Sequence, residues 1–113
     1  RMLLLNTPHN PTGKVLSEEE LQQIATIVKK YPDLVVVSDE VYEHMIYDGH
    51  THKSFASLPG MWERSVTVCS SGKTFSTTGW KIGWAIVPNH LIRPLMVAHQ
   101  WVMFSLCTPL QVG

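Results

Sequence analysis

Leu34-Val35-Val36-Val37-Ser38-Asp39-Glu40 is the stretch from which the fold can be read. An unbroken β-branched run suits a strand covered on both faces, the pattern of parallel sheets, and the switch to Ser-Asp-Glu marks its polar end. Upstream, Ser17 and Glu20 form an S-x-x-E capping box. Leu21, Ile24, Ala25 and Val28 then recur at helical spacing, predicting a helix over residues 18–30 that Tyr31-Pro32-Asp33 stops. Before it, residues 2–5 read as a first buried strand that delivers a rigid loop, Asn6-Thr7-Pro8-His9-Asn10-Pro11-Thr12-Gly13. Strand, helix, strand at this spacing predicts a right-handed βαβ unit whose strands finish at one sheet edge. Asn10 and Asp39 are then expected as neighbours, where open α/β sheets bind ligands.

Downstream, residues 42–59 read as connection, with a turn at Asp48-Gly49 and a short helix at 55–58. A third strand is expected at 66–68 and a fourth at 82–87, the latter antiparallel because the link between them is too short for a crossover. Asn89 is expected to cap a last helix over residues 90–104 with Leu91, Leu95, Ala98 and Val102 as its apolar face. The fold class is therefore α/β: three layers, a mostly parallel sheet and one antiparallel strand.

The 113 residues are enough for one domain with a modest core, and 44% hydrophobic against 16% charged content marks a globular chain. Lys plus Arg equals Asp plus Glu at nine each, so no basic field for nucleic acid exists. Two cysteines, Cys69 and Cys107, make neither a disulfide framework nor a zinc motif, and favour a reducing compartment: cytoplasmic, with mitochondrial as the alternative. The six histidines lack metal-ligand spacing, so no metal is expected. No apolar run reaches the roughly twenty residues of a membrane helix, so no membrane partner is expected. The chain starts inside a strand and stops without an evident ending, and reads as a fragment.

Between the third and fourth strands lies Cys69-Ser70-Ser71-Gly72-Lys73-Thr74-Phe75-Ser76-Thr77-Thr78-Gly79-Trp80-Lys81, two lysines among hydroxyls and glycines. It reads as a polar loop at the same sheet edge, the kind of place where sites are built. Gly72-Lys73-Thr74 invites a phosphate-loop reading, but that motif needs glycine where Thr67 stands. Taken singly, Asp39 could cap a turn, Tyr42 could be core and Asn10 before Pro11 is common turn chemistry. Their convergence on one edge with Ser70, Lys73 and Lys81 points to a site.

The segments Asn10-Pro11-Thr12-Gly13 and Asp39-Glu40-Val41-Tyr42, with the run from Ser70 through Gly72-Lys73-Thr74-Phe75 to Gly79-Trp80-Lys81-Ile82-Gly83-Trp84, together resemble the fold type I pyridoxal-phosphate aminotransferases of class I/II. Asn6-Thr7-Pro8, Tyr47-Asp48-Gly49-His50 and residues 56–64 are most similar to the kynurenine aminotransferases, also called glutamine transaminase K or cysteine-S-conjugate β-lyase. The resemblance implies that residues 1–113 are the central part of the large, cofactor-binding domain, without the small domain. It implies transamination between an amino acid and a 2-oxo acid, with β-elimination on the same fold, or a structural fragment without activity, as alternatives. It further implies that Lys73 forms the Schiff base with pyridoxal 5'-phosphate and carries the substrate proton, a role for which an amine benefits from neighbouring cations such as Lys81. Asp39 corresponds to the partner of the ring nitrogen, Asn10 and Tyr42 to those of the phenolic oxygen, and Ser70 and Lys81 to those of the phosphate. Where relatives often carry arginine, Lys81 offers a point charge instead of a bidentate fork. The family also implies a homodimer in the full-length protein.

Overall fold

The computed structural model of the chain describes residues 1–107. Residues 108–113 of the expected domain lie outside the described residues. Strand β1 (Met2–Asn6) precedes helix α1 (Glu18–Val28) and strand β2 (Val35–Asp39). Strand β3 (Ser65–Ser70), a single helical turn α2 (Ser71–Thr74), strand β4 (Gly83–Ile86) and helix α3 (Asn89–Val102) follow. The four strands form one sheet in the order β1-β2-β3-β4. The pairs β1–β2 and β2–β3 are parallel and β3–β4 is antiparallel, as the sequence predicts.

The capping box starts α1 as expected. Ser17 Oγ accepts from the Glu20 N–H at 3.2 Å, and Glu20 Oε2 accepts from the Ser17 N–H at 2.9 Å. Leu21, Ala25 and Val28, four and three residues apart, are buried and pack with Val36, Phe55, Leu58 and Met61 into the core. Burial of each larger side chain contributes about 2 kcal/mol. The helix ends at Val28, short of the expected residue 30, and Lys29 is its C-cap. Pro32 fits the early stop, since it has no N–H to offer the Val28 carbonyl four residues back and its ring would clash with it. Arg64 Nη1, arriving from before β3, donates to the carbonyls of Val28 at 3.4 Å and Tyr31 at 3.2 Å, beside the backbone bonds they accept from Tyr31 and Leu34.

Three expectations need correction. The segment after β3 is not wholly loop: hydroxyls fold it into the α2 turn, Thr77 Oγ1 donating to Ser71 O at 3.1 Å and Thr78 Oγ1 to Gly72 O at 3.0 Å. Asn89 does not cap α3; Pro88 occupies that position without a side-chain bond and Asn89 is the first helical residue. Finally, the cover is uneven among the described residues: β3 is buried on both faces, with Val66 4% and Thr67 5% exposed, but β1 is open on one face. Val36 and Ser38 are buried toward α1, whereas Leu4 on the other face is 69% exposed. Every residue of β4 is exposed, as are Leu95 and Val102 on the expected apolar face of α3. The pattern of a doubly covered sheet is thus met at β3, and among the described residues β1 and β4 lack the second cover.

Candidate functional site

The sheet register sets the site. Asn6 pairs with Asp39, and Asp39 with Val68, so the three parallel strands end side by side and β3 then runs on through Ser70 into α2. Asn6 organises the first loop: its Nδ2 donates to Asp39 O at 3.1 Å and Pro8 O at 3.3 Å, and its Oδ1 accepts from the Asn10 N–H at 2.9 Å. The Thr7 N–H adds a bond to Asp39 O at 3.1 Å. Gly13, at φ +72, returns its N–H to His9 O at 2.7 Å and closes the loop, a conformation that favours glycine.

The loop thereby carries Asn10 to Tyr42. Asn10 Nδ2 donates to the Tyr42 hydroxyl at 3.2 Å, and Lys73 Nζ lies 5.8 Å from the centroid of the Tyr42 ring. A cation within about 6 Å of an aromatic face is attracted by the ring quadrupole. Tyr42 thus joins the residues of all three loops. Asp39 Oδ1 accepts from the Val41 N–H at 3.3 Å, which orients the carboxylate at the end of β2.

Gly72 permits the approach that seats Lys73. A Cβ there would stand 3.0 Å from Thr78 Cα and 3.2 Å from Ser70 Oγ. Ser71 ties the turn to β4, its Oγ donating to Ile82 O at 2.9 Å and its N–H to the same oxygen at 3.2 Å. Ser70 Oγ makes no capping bond within α2 and remains available. Lys81 is exposed, in the left-handed region at φ +57, and among the described residues no hydrogen bond or ion pair joins it to the other candidates. The structure therefore joins Asn10 and Lys73 each to Tyr42, sets Asp39 and Ser70 at adjoining strand ends, and among the described residues makes no side-chain bond from Lys81 to any of them.

The donor set fits pyridoxal phosphate. It offers a carboxylate for a protonated ring nitrogen, an amide and a phenol hydroxyl for an anionic ring oxygen, an amine for an aldehyde, and a free hydroxyl for a phosphate. No group of three or more His, Cys, Asp or Glu among the described residues could hold a metal ion.

Two residues that sequence reasoning missed are Asn6 and Glu40. Asn6 carried a readable signal, an Asn at a strand end before a Pro-Gly loop. Glu40 is 1% exposed and accepts from Ser38 Oγ at 2.8 Å, Ser54 Oγ at 3.2 Å and the Phe55 N–H at 3.1 Å, with His52 Nε2 at 2.9 Å. Burial alone pushes its carboxyl up, but the hydrogen bonds from His52, Ser38 and Phe55 outweigh this and hold it below the usual carboxylate value. Only strand alternation, which turns Glu40 to the core while Asp39 faces the site, could have revealed it.

Comparison with known proteins bears on the same residues. The family described as aminotransferase class I and II matches residues 1–112. Kynurenine–oxoglutarate transaminase of Dictyostelium discoideum is 56% identical over 98% of this chain and 26% of its own length. Human kynurenine–oxoglutarate transaminase 3 is 54% identical over 98% of the chain and 24% of its length. The chain spans about a quarter of the length of the curated relatives it matches. N-succinyldiaminopimelate aminotransferase from Mycobacterium tuberculosis superposes with a TM-score of 0.92 at 47% identity, covering 98% of this chain and 29% of that one.

Proposed function

Because the chain belongs to the class I and II aminotransferases, a pyridoxal-phosphate-dependent family, we propose that it is the central part of the cofactor-binding large domain, residues 1–113, of an amino-acid:2-oxo-acid aminotransferase acting on kynurenine, glutamine or related amino acids. The observation that carries this reading is the meeting of Lys73 with Tyr42 and Asn10 beside the end of β2. When bound, pyridoxal phosphate supplies an electron sink for the substrate α-carbon.

The chain's own residues divide the remaining work. Lys73 Nζ is the covalent anchor for the aldehyde and, once released, the base that takes and returns the α-proton. Asp39, its Oδ1 oriented by the Val41 N–H, keeps a ring nitrogen protonated. Tyr42 OH and Asn10 Nδ2, already bonded to each other, are placed to hold the phenolic oxygen. Ser70 Oγ offers a hydrogen bond to the phosphate, and Lys81 offers its charge.

Kynurenine as substrate is supported by the names of the two relatives that are more than half identical. The succinylated substrate named for the mycobacterial structure shows that neighbours on this fold act on other amino acids. We further propose a homodimer in the full-length protein, whose remaining domains and partner subunit cover β4, α3 and the open sheet face. No helix among the described residues is long and apolar enough to cross a membrane. The free thiols Cys69 and Cys107 support a reducing compartment, cytoplasmic or mitochondrial. The test is spectroscopic: the full-length protein with cofactor should acquire a visible absorbance band that Lys73→Ala lacks, and an identical band in that variant would refute the assignment.

A further inference from the structure

The end of β2 presents two successive carboxylates to opposite faces, and only Asp39 looks toward the site. Glu40 points into the core side. Of its four donors, His52, Ser54 and the Phe55 N–H belong to the segment that enters the 3-10 turn Phe55–Ser57, and Phe55 itself is fully buried in the core. An ionised carboxylate only accepts, so His52 must donate through Nε2. One side chain therefore fastens the end of β2 to an anchored piece of the core.

The main chain carries that fastening onward. The Glu40 N–H donates to Val68 O at 3.0 Å, and Glu40 O accepts from the Glu43 N–H at 2.9 Å, closing the turn that contains Tyr42. Stability alone does not account for such a group, since a buried charge with its partners can often be exchanged for apolar residues of similar volume without loss. What four converging donors add is a fixed orientation.

We propose that Glu40 is a positioning residue: gripped by Ser38, His52, Ser54 and Phe55, it holds the β2 end and the following turn so that Asp39 and Tyr42 meet the cofactor at the correct angle. The inference rests on the functional reading above and extends it to a residue that touches no ligand.

The experiment uses the full-length protein and reads the cofactor dissociation constant by equilibrium dialysis, the pH midpoint of the bound cofactor's visible absorbance, and the melting temperature. Glu40→Ala should weaken cofactor binding about tenfold, as losing the groups behind a ligand does in metal sites, and displace the midpoint. Glu40→Gln should restore both, because its oxygen accepts from Ser38, Ser54 and Phe55 while its amide donates to the other tautomer of His52. In an Asp39→Asn background, Glu40→Ala should weaken binding less than it does in wild type, since part of its effect runs through Asp39. A Glu40→Ala protein with a lowered melting temperature but wild-type affinity and midpoint would overturn the proposal, as would full additivity with Asp39→Asn. Should Glu40→Ala not fold, His52→Ala carries the test: the same displacement at about threefold is expected, and wild-type values would overturn it. A wild-type protein that binds no cofactor would remove the functional reading itself; normal wild-type binding with unaffected variants would remove only the role of Glu40.

Discussion

Asn10 and Tyr42, 32 positions apart in sequence, are joined side chain to side chain by a 3.2 Å hydrogen bond between the amide nitrogen of one and the phenol oxygen of the other. Because Lys73 stands over the same ring, the pair defines where an anionic oxygen beside the reactive amine would sit. Tyr42→Phe keeps the ring and removes only the hydroxyl. It should leave Lys73 in place, cost about 1 kcal/mol of stability for the lost hydrogen bond and weaken cofactor binding about fivefold. Isothermal titration of the full-length variant with cofactor, beside urea denaturation, measures both.

Gly72 and Gly79 form a matched pair of tests. A Cβ at Gly72 would meet Thr78 Cα at 3.0 Å, whereas at Gly79 nothing lies within 4 Å. Gly72→Ala should destabilise by about 1–3 kcal/mol, the usual cost of overpacking. Gly79→Ala should stay close to wild type. Urea midpoints of the two variants in the full-length protein decide the matter.

Acid should act through Glu40. Its folded-state carboxyl is held below its ordinary value, so it contributes stability at neutral pH that is lost as pH falls through the lowered folded value. Wild type should therefore lose stability below about pH 4.5 more steeply than Glu40→Gln, which cannot take up that proton. Melting temperatures from neutral pH to pH 3 should converge as acid is added, and parallel curves would contradict the expectation.

Cys69 should be inert while the protein is folded. Burial first, then the nearby carboxylates of Glu43 and Glu40, push its thiol up to about 11. At pH 8 only about one thiol in a thousand is then ionised. Alkylation followed by peptide mapping should find Cys69 unmodified in the native protein and labelled once it is unfolded.

The elements legible in the sequence were those whose cause is local. The Ser17–Glu20 box fixed the start of α1, the β-branched run of β2 announced a parallel strand, and the polar strand ends placed Asn10, Asp39 and Lys73 at one edge. What stayed hidden depends on partners distant in sequence. Asn6 matters because it bonds Asp39 across the sheet, and Glu40 because four donors from Ser38 and residues 52–55 converge on it. Arg64 caps α1 from 36 residues beyond Val28, and no spacing rule would find it. The apolar face of α3 was recognised as apolar, yet pattern alone could not say that the described residues leave it and β4 exposed. Lys81 was matched by its motif position, and its left-handed backbone at φ +57 is something residue type does not reveal.

The central claim is that Lys73 is the residue that bonds the cofactor, and chemical trapping tests it most directly. The full-length protein loaded with pyridoxal phosphate is reduced with borohydride, digested, and the modified peptide sequenced by mass spectrometry. The predicted result is a single stable adduct on Lys73, absent in Lys73→Ala. An adduct on Lys81 with Lys73 unmodified, or none on either lysine, would contradict it.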